Sequence, residues 1–132
     1  MSEADDFKVF ISYRRDDTKP TSRLIYERLS RHFGDARVFF DIDNTPAGVD
    51  FVEHLDSQVA ECSVLLAVMG PRWTQGERIF SDRDFVRIEI AAALKLNIPV
   101  IPIFADGAEP PAPEAVPASI TAVLRRQGLP VD

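Results

Sequence analysis

Glu89 is the residue in this sequence best placed to do chemistry. It is the one acid in the run Val86-Arg87-Ile88-Glu89-Ile90-Ala91-Ala92-Ala93-Leu94. A helical glutamate usually faces solvent and pairs with a cation three or four residues away. Those positions are Phe85, Val86, Ala92 and Ala93, and none is charged. A carboxylate set among apolar neighbours has a displaced proton affinity, which is how acids and bases for catalysis are tuned. The pattern alone leaves a surface glutamate equally open.

Arg14 and Arg15 are the second candidates, because a guanidinium can grip a phosphate through two parallel hydrogen bonds. Pairing with the adjacent Asp16 or Asp17 is the plainer reading. Asp41 and Asp43 are too few oxygen ligands for a hard metal and suit a loop-shaping role. Trp73 and Phe85 read as core aromatics. Cys62 reads as a small hydrophobe, and His32 and His54 carry no assigned role.

These residues must be positioned by a regular frame. Phe7 to Ser12, Val38 to Phe40, Ser63 to Met69 and Pro99 to Phe104 are short apolar runs rich in β-formers, and Leu129 to Val131 could form a last strand. Leu24, Ile25, Leu29 and Phe33 recur at helical spacing before Gly34. Phe51, Val52, Leu55 and Val59 form a second stripe. Phe85 to Leu96 reads as a third helix, with Ser81 and Asp84 resembling a capping box. Asp16 to Pro20 and Trp73 to Ser81 read as loops, and a short helical piece is expected around Ser119 to Arg126. Alternating strands and helices with continuously apolar strands predict a parallel sheet covered on both faces. Pro102 places the fourth strand at or near an edge. Ligands of such sheets bind beyond the carboxyl ends of the strands, here the loops Tyr13 to Pro20, Asp41 to Asp50 and Gly70 to Ser81.

Composition narrows the function classes. The 132 residues suit one domain, and 45% hydrophobic with 27% charged residues is ordinary for a globular protein. The net charge of −6 and the lack of a basic stripe argue against nucleic-acid binding. No apolar run is long enough to span a bilayer, and the polar, acidic Met1 to Asp6 lacks a secretory-signal pattern. One cysteine excludes an internal disulfide framework and a cysteine zinc site. A cytoplasmic setting is expected. No Gly-rich dinucleotide or P-loop motif is present. The third strand ends in Val68-Met69-Gly70, without the aspartate a receiver domain needs.

Three motifs, in order, resemble the Toll/interleukin-1 receptor (TIR) domain. Phe7-Lys8-Val9-Phe10-Ile11-Ser12-Tyr13-Arg14-Arg15 resembles its first box. Val38-Phe39-Phe40-Asp41-Ile42-Asp43 with Ala47-Gly48 resembles its second box and BB loop. Asp84-Phe85-Val86-Arg87-Ile88-Glu89-Ile90 with Ile98-Pro99-Val100-Ile101-Pro102 resembles its third helix and fourth strand. The Phe-Val-Arg-x-Glu-Ile form is similar to bacterial members.

The resemblance implies a flavodoxin-like α/β fold, with a five-stranded parallel sheet of order 2-1-3-4-5 and helices on both faces. It spans residues 7–132 after a disordered tail at 1–6. The family's final helix is absent, so this is expected to be the N-terminal part of a longer protein. The implied activity is cleavage of the nicotinamide–ribose bond of NAD+, giving nicotinamide plus ADP-ribose or a cyclic ADP-ribose. NAD+ is then the substrate, with no cofactor and no metal. Glu89 maps onto the catalytic glutamate. Tyr13, Arg14, Asp43 and Phe85 map onto substrate-binding positions, and Phe85 stands where the family often has Trp. Asp43, Asn44, Thr45, Pro46, Ala47 and Gly48 form the BB loop through which other TIR domains would assemble. The implied role is signalling in anti-phage defence, with no direct nucleic-acid or membrane partner. A non-catalytic TIR–TIR interaction module and a nucleoside deoxyribosyltransferase-like enzyme are the alternatives.

Overall fold

A computed structural model of the chain describes residues 7–40, 51–126 and 128–131. Five strands form one all-parallel sheet: β1 (Val9–Ser12), β2 (Val38–Phe39), β3 (Val64–Met69), β4 (Val100–Ala105) and β5 (Leu129–Val131). Their order is β2-β1-β3-β4-β5, the flavodoxin-like order the motifs implied. β1 and β3 run in register from Val9↔Val64 to Ser12↔Ala67. Pro102 lies on β4, second from the edge, where the β3 ladder continues. The β4–β5 ladder covers only Ile103 to Ala105, so the missing proline N–H interrupts no bond to β5.

Helices cover both faces, because the strands are apolar on both. Helix α1 (Arg15–Phe33) sends Ile25, Tyr26, Leu29 and Phe33 against Val9, Ile11, Val38, Val64 and Val68. Leu24, expected in this stripe, instead faces solvent. Helices α2 (Phe51–Ala60) and α3 (Phe85–Lys95) cover the opposite face, where Val59, Val86, Ile90 and Ala93 meet Phe10, Leu65, Ala67 and Met69. The 3₁₀ segment Ala118–Arg125 completes this layer with Ile120 and Val123. Each such side chain, taken fully out of water, contributes about 1.5–3 kcal/mol.

Two local expectations are corrected. Asp16 to Pro20 is not a loop, since α1 already begins at Arg15. Its ladder breaks at Thr18 (φ −132°, ψ 25°) and resumes with Pro20 in the first turn of the continuing helix, where a missing N–H is tolerated. Thr18 and Ser22 are fully buried and share a 3.1 Å hydroxyl–hydroxyl bond across this break. The helix then ends as expected at Gly34, whose N–H bonds the Ser30 carbonyl and whose φ of 95° suits glycine. The capping box at Ser81 does not form either. The cap of α3 is Asp84, which accepts from the Arg87 N–H at 3.2 Å, and the helix starts at Phe85 as read from the sequence.

Asp17 staples the two halves of the sheet's carboxyl end. Its carboxylate accepts from the N–H groups of Gly70 at 2.9 Å and Arg72 at 2.8 Å. Gly70 must lack a side chain for this approach, because a Cβ there would meet Thr18 Cγ2 and lie 2.5 Å from Asp17 Oδ1. Gly70→Ala is therefore expected to destabilise the fold by about 1–3 kcal/mol, as overpacking does. Urea denaturation should show a lower midpoint with an unchanged slope.

Candidate functional site

The carboxyl end of β1, the first turn of α1, Arg78 and the start of α3 line a cleft of about 390 Å³, at the lower end of the range for small-molecule sites. Tyr13, Arg14, Phe85 and Glu89 all line it, together with Arg15, Asp16, Arg78 and Asp84. Four residues singled out from sequence are thus brought to one place from two segments far apart in the chain. Asp43 and the remaining BB-loop residues Asn44 to Gly48 lie outside the described residues.

Arg14 is not a surface partner of Asp16 or Asp17. It follows β1 directly and turns inward, where its side chain is 5% exposed. Nη1 and Nη2 donate to the two Asp84 carboxylate oxygens at 2.6 and 2.8 Å, and Nε donates to the Trp73 carbonyl at 2.7 Å. The guanidinium also lies over the Trp73 ring, 5.9 Å from its centroid. Asp16 and Asp17 are carried away by the first turn of α1, Asp16 to Arg78 and Asp17 to the Gly70 and Arg72 amides. Adjacency in sequence therefore gave the wrong partner.

Glu89 is buried, although it lines the cleft. Ser12, at the end of β1, donates its hydroxyl to Glu89 Oε1 at 2.8 Å. Loss of hydration pushes the Glu89 proton affinity up to about 8. The Ser12 hydrogen bond acts against that rise, the Asp84 charge adds to it, and Arg14 opposes it. The neutral form of the carboxyl group is therefore favoured near neutral pH.

The two aromatic candidates differ. Trp73 is core, as expected. Phe85 is not: it opens α3 with 44% of its surface exposed and forms a wall of the cleft one turn before Glu89. On the other side Tyr13 stacks on Phe40 at 4.9 Å, and Phe40 stacks on Tyr26 at 4.9 Å, which fixes the Tyr13 ring. Cys62 is buried at the far end of the sheet. Burial raises its thiol to about 12, so it behaves as the inert hydrophobe expected. Among the described residues, no cluster of His, Cys, Asp or Glu could hold a metal ion.

Sequence reasoning missed Ser12, Asp84 and Arg78. Strand alternation carried a signal for Ser12, because it shares a face with Phe10, the face that α3 covers. Asp84 was noticed for the wrong job, as a capping-box partner rather than as the cap itself. Arg78 gave no signal at all.

Residues 9–129 match the TIR domain family. The chain is 32% identical over 101 residues to the probable 2′ cyclic ADP-D-ribose synthase BdTIR of Brachypodium distachyon, covering 76% of this chain and 41% of that one. It thus spans about two fifths of that relative's length. Among solved structures it resembles the TIR domains of the activated Roq1 resistosome bound to the effector XopQ. The TM-score is 0.65 at 15% identity, over 94% of this chain and 87% of that chain.

Two measurements check the site. Truncating one member of a buried pair leaves an uncompensated charge, so Asp84→Ala should cost about 3–5 kcal/mol by chemical denaturation. The double variant Arg14→Met, Asp84→Leu should recover most of that. Glu89 holds its proton more tightly folded than unfolded. Its contribution to stability is complete below the unfolded value near 4.5 and is lost as pH rises through about 8. Heating scans from about pH 5 to about pH 9 should therefore show wild type losing melting temperature relative to Glu89→Gln.

Proposed function

The chain belongs to the TIR domain family, and on that premise we propose that it cleaves NAD+ at the nicotinamide–ribose bond, with Glu89 beneath the ribose. The observation that carries this reading is a buried carboxyl group on the wall of a cleft, held at one oxygen by Ser12. The synthase name of the Brachypodium relative supports it.

The chemistry asks little of the protein. Nicotinamide in NAD+ is cationic, and as the C1′–N bond breaks the electron pair moves to the ring nitrogen. It leaves neutral, and no proton need be supplied. Positive charge passes to C1′ and the ring oxygen, as in glycoside hydrolysis. An ionised Glu89 in a water-poor cleft stabilises that charge far better than water would. The cationic nicotinamide itself favours this ionisation as it binds. Phe85 and Tyr13 supply flat apolar walls for the ring. Attack by water gives ADP-ribose and releases one proton, whereas capture by the adenine gives a cyclic product. NAD+ is the substrate, and the scheme requires no cofactor or metal.

Assembly of TIR domains through the BB loop, Asp43 to Gly48, completes the small cleft in this reading. The setting is cytoplasmic signalling of the bacterial defence kind, in keeping with the Phe-Val-Arg-x-Glu-Ile motif. No helix among the described residues is long and apolar enough to cross a membrane.

Concentrated protein should release nicotinamide from NAD+, and Glu89→Ala should lower the rate about a hundredfold or more, the scale of losing one electrostatic stabiliser. Equal rates would remove Glu89 from the mechanism, and no release at any concentration would leave a non-catalytic module. Because kcat/KM reports the free enzyme, it should rise with pH and level off above about 8.

A further inference from the structure

The rim of the cleft carries an ion pair that bond cleavage at Glu89 does not use. Arg78 stands in the 3₁₀ segment Gln75–Phe80, whose backbone turns through positive φ at Gly76 and Glu77. Its Nη1 and Nη2 donate to the two Asp16 carboxylate oxygens at 2.9 and 3.0 Å, and Nη2 also reaches the Arg72 carbonyl at 3.3 Å. Its Nε is buried and, among the described residues, meets no hydrogen-bond acceptor. Arg78 and Asp16 both line the cleft, with side chains 34% and 55% exposed.

Two arginines of this cleft are thus held in opposite ways. Arg14 is held by three hydrogen bonds to the Asp84 carboxylate and the Trp73 carbonyl, so releasing it would strand a buried charge. Arg78 is held by one exposed carboxylate and a long bond to the Arg72 carbonyl, and such an exposed pairing contributes little net stability. A guanidinium fork that fits a carboxylate fits a phosphate equally well. The spare Nε offers a third donor that a phosphate oxygen would satisfy. Arg15 also lines the cleft, in a chain of net charge −6.

We propose that Arg78 binds the diphosphate of a nucleoside diphosphate substrate, and that Asp16 is a stand-in carboxylate which the diphosphate displaces. This deepens the NAD+ reading and rests on it. The Arg78 hydrogen bond holds Asp16 below the usual carboxylate range. The stand-in is therefore charged at neutral pH, and the exchange swaps one anion for another.

Titration calorimetry with ADP-ribose, on the full chain carrying Glu89→Gln, tests it. Adding Arg78→Gln should weaken binding about tenfold or more, the loss of one to two charge-assisted hydrogen bonds. Asp16→Asn should tighten it severalfold by removing the competitor. Adenosine, which lacks phosphate, should respond to neither change. A purely structural ion pair predicts that both substitutions weaken binding, and that result overturns the proposal, as does unchanged affinity in Arg78→Gln. The cleavage reading fails separately. Nicotinamide release with an unaltered KM in Arg78→Gln removes the diphosphate role alone. Phosphate-dependent binding without nicotinamide release removes cleavage and leaves Arg78 in place.

Discussion

A buried guanidinium has to be paired, and the fork between Arg14 and Asp84 satisfies that requirement across 70 residues of chain. One aspartate does three things. It caps α3, it neutralises Arg14, and it adds negative charge beside Glu89. Because Arg14 follows β1 directly, the pair ties the end of the central strand to the start of α3. The Trp73 carbonyl adds the loop after β3 to the same knot. The position of Glu89 one turn into α3 is then set by how α3 is hung from Asp84. Ser12, two residues before Arg14, reaches Glu89 from the strand side. The cleft is less a gap between elements than the space this knot holds open.

Burial does two opposed things to Glu89. It favours the neutral acid near neutral pH, and it strengthens every electrostatic interaction the acid makes once ionised. A glutamate out in solvent would always be charged, and its field would be screened. Here the charged form is favoured only when something cationic sits beside it. Ser12 and Arg14 moderate the cost, and neither abolishes it.

Much of this was legible in the sequence, for reasons that differ residue by residue. The parallel sheet followed from apolar runs alternating with helical stripes, and its strand order only from the resemblance to the TIR domain. The lack of a charged helical neighbour near Glu89 went with burial, and its hydrogen bond comes from Ser12 on β1. The start of α1 was misread because Pro20 and the polar run before it look like a breaker. The chain instead breaks at Thr18 and restarts with proline in a permitted position. The partner of Arg14 was beyond reach, because charge pairing was judged by nearness in sequence and a helix turn separates such neighbours. Arg78 sits in a segment whose positive-φ backbone has no periodic pattern to read.

The sheet's two outer strands bear on a hazard of a different sort. Among the described residues, β2 offers two residues and β5 three, one of them Pro130, which has no N–H to give. An exposed strand edge recruits other chains by backbone pairing, indifferent to the side chains they bring, and that is the route to aggregates. Edges this short give an incoming strand almost no ladder to extend. On these residues backbone pairing at the sheet edge is a poor route to association, and side-chain surfaces that can be matched and undone are the better one.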